Sequence, residues 1–380
     1  MGLPSMTIVF KAAARAVRVR LDRGIVGMIL KDTVPDQNLV IVYSEDDIPE
    51  GMKEENKEQI RLALIGYINA PKKVVIYVLP EEAEDYTEAL DYFGLKKVNW
   101  LCCPTCEMDG QKDEVAAWVK TEREKRNRVK AILPECAGNN EGIINYSTKT
   151  VYVDGDTAKD SNMAGSAEAG KAFAARAAKE YTAERFCSRI AGLLAGTPAT
   201  MASTFAVLDD VTDCEHLSRE AAGKAVDEGK FVLYHDGEKV KVARGVNSLQ
   251  TITQNKAEPW KKIKVVETMD MIHDDLVTLV EEHYIGKYTN TYNNKCLVLS
   301  AIMDYMVELE LEGILDEYTV DFDTETIKKY IIQNKGVSRE DAEEMDEATL
   351  KRQNTDEKLF LSATLSIADA IEDVTLNIIV

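Results

Sequence analysis

"KVVIYVLP", residues 73–80, decides the fold of this 380-residue chain. Its unbroken apolar run leaves neither face of a strand polar, so a strand here must be covered on both sides. Before it, "KEENKEQIRLALIGYIN" at 53–69 mixes charged and apolar residues at helical spacing, and 82–93 and 112–126 read as helices too. Working outward, "GIVGMILKD" (24–32), "NLVIVYS" (38–44), "VNWLCCP" (98–104) and "VKAILPE" (129–135) read as short buried strands. Strands alternating with helices of about three turns predict βαβ units on a largely parallel sheet.

The second half changes character. "DGDTAKDSNMAGSAEAGKAFAARAA" (154–178) holds almost no large apolar side chain and is expected to be an exposed insertion. "AERFCSRIAGLLA" (183–195) is a helix stopped by Gly196 with Pro198 beyond it. "KFVLYHDGEKVKVARGVNSL" (230–249) reads as a hairpin turned at Asp236 and Gly237. Two long helices follow at about 257–283 and 290–312, then the strand "YTVDFD" (318–323) and a charged helical stretch from 325 to 355.

The closing "IEDVTLNIIV" (371–380) alternates Val374, Leu376, Ile378 and Val380 with Thr375, Asn377 and Ile379, the period of a half-buried strand. Two pairings are open to it. It can close a hairpin with residues 359–367 of the same chain, or add to a sheet in another subunit. The organisation expected is an N-terminal β-arm and linker (1–20), an α/β domain (21–255) with the insertion at 154–178, an α+β domain (256–367), and a C-terminal linker and β-arm (368–380).

A formal charge of -20 argues against nucleic-acid or anionic-membrane binding and favours a protein partner. No apolar run reaches the length of a membrane helix, and Lys11, Arg15, Arg18 and Arg20 interrupt any secretory leader. A soluble protein made in a cytoplasm is expected. Seven cysteines spread over a long chain fit a reducing compartment better than a disulfide framework.

Three motifs point to chemistry, and each lacks a part. Cys103 and Cys106 form a Cys-x-x-Cys, but at a strand end midway through the α/β series, with no second ligand pair nearby. "GSAEAGKA" (165–172) nearly matches a phosphate-binding loop, yet Ala172 stands where a Mg²⁺-holding hydroxyl belongs and no buried strand precedes it. His273 and His283 lie ten residues apart on one helix, about 80° apart around its axis, which does not make a zinc face. A Ser-His-Asp set including His273 is left open, without a Gly-x-Ser-x-Gly elbow. Neither a metal nor a cofactor is expected. The competing reading is a nucleotide-binding or redox α/β enzyme built on residues 21–150.

Several separated stretches, taken in order, resemble the tail sheath proteins of contractile phages and phage-tail-like bacteriocins, with short Firmicutes-type sheaths nearest. They are "GLPSMTIVFKAAA", "NNEGIINYSTKTVYV", "SRIAGLLAGTP", "ARGVNSLQTIT", "IKVVETMDMIHDDL", "YIGKYTNTYNNKCLVLSAI" and "LFLSATLSIADAIEDVTLNIIV". The Ala-rich insertion and the "CCPTC" run depart from that pattern.

The resemblance implies a subtilisin-like α/β fold without the triad, and a structural subunit that stacks as hexameric rings around an inner tube. It would contract irreversibly to drive that tube through a target envelope, with baseplate and tail terminator proteins as further partners. Assembly would take place in a bacterial host's cytoplasm, within a virion, a bacteriocin or an injection system. Terminal strands would then be donated between subunits: Met6, Ile8 and Phe10 at one end, Val374, Leu376, Ile378 and Val380 at the other. The receiving strands would carry Val320, Phe322, Leu359, Leu361 and Leu365. Flexible joints are expected at 12–16 and 368–373, and Lys287 and Lys295 are the expected tube contacts.

Overall fold

The computed structural model describes residues 23–33, 38–153, 178–254 and 256–378. Met6, Ile8, Phe10, Val380, the expected joint at 12–16 and all but the last residue of the expected insertion, including the motif "GSAEAGKA", lie outside them. The described residues form two units, one holding those up to 270 and from 369 onward, the other those from 271 to 368.

The first unit runs β1 (Ile25–Lys31), β2 (Leu39–Val42), α1 (Glu54–Leu64), β3 (Lys73–Leu79), α2 (Thr87–Leu95), β4 (Trp100–Cys102), α3 (Lys112–Glu124), β5 (Lys130–Pro134) and β6 (Ile143–Tyr146). There follow β7 (Thr150–Val153), β8 (Lys179–Thr182), α4 (Ala183–Ala195), β9 (Val211–Cys214), α5 (Arg219–Asp227), β10 (Lys230–Phe231), β11 (Leu233–His235) and β12 (Val240–Val242).

Seven strands make the main sheet in the order β10-β6-β5-β4-β1-β3-β2. All neighbours pair in parallel except β2, which runs antiparallel along β3 at the edge. The residues that predicted this sheet divide between its two faces. Val74, Ile76 and Val78 enter a core with Ile60 of α1 and Phe186, Ile190 and Leu193 of α4. Val75, Tyr77 and Leu79 enter another with Leu90 and Phe93 of α2 and Val115 and Val119 of α3.

Helix α4 starts where Thr182 caps it by accepting the Arg185 N–H, and it presses closely on α1. A Cβ added at Gly192 would fall 2.0 Å from the Ala63 carbonyl oxygen, so only glycine permits this approach. The strands β7, β8 and β9 form a separate antiparallel sheet that residue patterning did not single out. The hairpin β11–β12 turns at Asp236 and Gly237 as expected, with Asp236 Oδ1 accepting the N–H groups of Glu238 and Lys239.

Helix α6 (Ile263–His283) contains the boundary between the units, and its first turns carry a buried ionic network. Asp270 accepts a two-pronged bond from Arg123 at 2.9 and 3.1 Å and a third from Lys130 at 3.0 Å. Glu267 pairs with Lys130 at 2.7 Å and with Arg23 at 2.8 Å. Burial pushes the Glu267 carboxyl up, but the charges of Arg23 and Lys130 outweigh it and hold its pKa at about 2. Asp270 is likewise held below the usual range against burial, by Lys130 and Arg123.

The second unit continues with α7 (Tyr292–Leu311), β13 (Leu315–Phe322), α8 (Thr324–Lys335), α9 (Arg339–Glu344), α10 (Glu347–Lys351) and β14 (Leu361–Ile367). The charged helical stretch expected at 325–355 is made of three short helices. Gly336, at φ +69°, ends α8, and side chains of Ser338 and Asp346 cap the next two. These helices close over Phe322, Ile327, Ile331, Ala342 and Leu350.

Candidate assembly site

β13 and β14 pair antiparallel, with Tyr318 opposite Leu365, Val320 opposite Ala363 and Phe322 opposite Leu361. Because side chains alternate, those residues share one face, while Glu317, Thr319, Asp321, Ser362, Thr364 and Ser366 share the other. The apolar face is backed by α7 and the small core, in which Phe322 is 5% exposed and Leu359 and Leu361 are partly buried. Leu359 itself lies just before β14. Among the described residues no third strand joins this sheet, so each strand keeps an outer edge of main-chain groups with no strand beside it.

The intrachain hairpin between 359–367 and 373–380 is not formed among the described residues: β14 pairs with β13, and its other edge has no strand beside it. Residues 368–378 are in no strand or helix. Ile371 is 90% exposed, and Val374, Leu376 and Ile378 are 79%, 76% and 75% exposed. Such a row of open apolar side chains is unusual for a settled surface.

The root of this segment is held. Arg244 Nε donates to Glu372 Oε2 at 3.0 Å and its Nη2 donates to Asp373, while the Thr204 hydroxyl donates to Glu372 Oε1. Lys262 pairs with Asp369. Burial raises the Asp369 carboxyl, yet the bonds from Lys262 and the Ala370 N–H keep it below its ordinary value. Residue patterning treated 368–373 as a plain linker and missed these partners. The only hint was the acidic spacing Asp369, Glu372, Asp373 facing an isolated arginine after the β11–β12 hairpin.

The two lysines separate. Lys287 is exposed and donates to the Glu282 carbonyl. Lys295 is 4% exposed, and its ammonium donates to the Gln353 carbonyl and Thr355 Oγ1, both at 3.0 Å. Its charge is spent within its own unit.

The place where a doubly wound sheet binds ligands is the crevice beyond the C-terminal strand ends where strand order reverses, here at β1 and β4. The protein's own groups fill it. Lys31 pairs with Asp109 at 3.1 Å, Tyr86 donates to the same carboxylate, and Glu184 Oε1 accepts the N–H groups of Glu107 and Met108 at 2.6 and 3.0 Å. Cys103 and Cys106, which flank this loop, are 1% and 0% exposed, and burial pushes both thiols well up from their ordinary values. Among the described residues no group of three His, Cys, Asp or Glu side chains is placed to hold a metal. His273 Nδ1 lies 3.2 Å from Asp274, its neighbour in sequence.

Comparison with known proteins agrees with this picture. Residues 81–248 match the model of the phage tail sheath protein central domain, and 255–380 that of the phage tail sheath C-terminal domain. The tail sheath protein of Clostridium phage phiCD119 is 34% identical, with 99% of each chain covered. The sheath tail protein of Desulfitobacterium hafniense shares the fold at a TM-score of 0.63 and 16% identity, covering 84% of this chain and 94% of that one. The contracted helical sheath of the anti-feeding prophage does so at 0.62 and 15% identity, covering 100% and 99%. The α/β body, the small sheet and the full-length match together place this chain in the phage tail sheath family, as a structural protein of contractile tails.

Proposed function

We propose that this chain polymerises as stacked hexameric rings around an inner tube and contracts irreversibly to push that tube through a target envelope. Neighbouring subunits are linked by donated terminal strands. The observation that carries this is the coexistence of an open-edged two-stranded sheet with an arm whose apolar side chains Val374, Leu376 and Ile378 are each at least 75% exposed. An added strand satisfies main-chain groups at the edge and buries alternate side chains, which neither element achieves by itself.

Residues 1–20, with Met6, Ile8 and Phe10, supply the second donor. The baseplate and terminator proteins bound the polymer at its two ends, and assembly takes place in the host cytoplasm within a phage or tail-like particle. The subunit acts mechanically and not as an enzyme. Lys287, exposed at the turn before α7, is the tube contact we retain.

The test is co-expression with the tube protein followed by negative-stain imaging, for the native chain and for Lys287→Glu. Six-fold rings or tubes are expected from the native chain. The variant is expected to form sheath that slips from the tube or contracts early. Discrete small particles from the native chain would refute the polymer reading, and normal extended particles from the variant would remove Lys287 from the grip.

A further inference from the structure

We propose that Arg244 is a positioning residue that clamps the root of the C-terminal arm, so that the free joint begins after Asp373 and not at 368. This rests on the strand-donation reading and specifies where a donated strand leaves its own subunit.

Three features carry it. The first is the rigidity of the clamp's base. Val246 bridges antiparallel to Lys262, and the Ile263 N–H donates to the Gly245 carbonyl, so the segments bearing Arg244 and Lys262 are laced together. Thr204 is fixed from both sides: its hydroxyl accepts the Gly245 N–H at 3.0 Å while donating to Glu372. Its neighbour Phe205 sits at φ +55°, a conformation rarely taken by a residue with a side chain, and is held there by its N–H bond to the Val242 carbonyl.

The second is the shape of the grip. One planar guanidinium reaches two successive carboxylates, Glu372 and Asp373, while Lys262 holds Asp369 further back. A lysine at 244 has the charge but not the fork that spans both. The third is the burial of the gripped carboxylate itself. The Glu372 side chain is 9% exposed although Ile371 before it is 90% exposed, and from Asp373, at 86%, through residue 378 every described side chain is open.

The consequence is geometric. A tether that starts at residue 374 spans seven residues to Val380, a reach of about 25 Å when extended. One that starts at 368 has nearly twice that reach and spreads its tip over a larger volume, lowering the local concentration of strand at a neighbour's sheet edge. The clamp thus keeps the arm short and fixes its point of departure. Since its outer pair, Arg244 with Asp373, is open to solvent, added salt weakens that part first.

The experiment is limited digestion of the full chain with a glutamate-specific protease, following release of the octapeptide 373–380, together with hydrogen exchange across 368–373. Arg244→Gln is expected to release the peptide about tenfold faster than the native chain, and Arg244→Lys to fall between them. Asp373→Asn keeps the cleaved Glu372 intact and is expected to speed exchange in the same segment. Arg219→Gln lines the same open cleft of about 300 Å³ and should behave as native. Cleavage at other glutamates and the melting temperature report whether a variant has simply unfolded.

Equal release and equal exchange in Arg244→Gln and native protein would overturn the clamp. If removing residues 374–380 leaves assembly intact, strand donation falls while the clamp is judged by digestion alone. If that deletion abolishes sheath but Arg244→Gln assembles at the native rate, donation stands and the positioning role falls.

Discussion

Deleting residues 374–380 separates contacts between subunits from contacts within one. Val374, Leu376 and Ile378 are the described donor side chains, and fully burying each is worth about 1.5–3 kcal/mol. With roughly three-quarters of each still exposed, a neighbour's sheet gains about 3–7 kcal/mol per link. Each main-chain hydrogen bond adds about 0.5–1.5 kcal/mol. Within the subunit only the remaining quarter is at stake, about 1–2 kcal/mol, a shift of no more than about 5 °C in melting. The truncated chain should therefore stay soluble and melt close to the native protein by scanning fluorimetry, yet give no rings or tubes by negative stain. Aggregation, or a much larger drop in melting temperature, would mean that the strand completes its own subunit. Normal sheath from the truncated chain would mean that these residues link nothing.

Two further outcomes concern the body. Asp270→Asn removes the carboxylate shared by Arg123 and Lys130, which keep Glu141 and Glu267 respectively, and should cost about 2–3 kcal/mol in urea unfolding at neutral pH, less than a fully orphaned buried charge. Glu267 and Asp270 are depressed in the folded state, so their contribution is complete above about pH 4.5 and is lost as pH falls toward 2. Native stability should drop steeply across that window, and the Asp270→Asn variant should show a shallower slope; an equal slope would place the acid sensitivity elsewhere. For the thiols, burial raises Cys102 to about 12 and also lifts Cys103, Cys106, Cys187 and Cys214. A thiol reagent at pH 8 should label only the partly exposed Cys296 quickly and all seven cysteines after guanidinium. Rapid native labelling of Cys103 or Cys106 would return the Cys-x-x-Cys to the list of active groups.

The sequence by itself determined the layered α/β body, which is written in local periodicity; the same reading expected a strand at 374–380, where the described residues 374–378 form none within the subunit. Residues 73–80 are apolar on both faces since helices cover both faces. The order of the sheet, the antiparallel edge at β2 and the splitting of 325–355 into three helices were decided by tertiary packing. A strand's direction depends on what it meets, and a run of helix formers records no single glycine's left-handed turn. The same holds for charge. Lys287 and Lys295 are equivalent in a string of letters, but folding buries Lys295 against Gln353 and Thr355, some sixty residues away. Arg244 reaches Glu372 and Asp373 across a still longer separation. A local pattern carries no record of such partners, so the anchor of residues 369–373 came only from the fold.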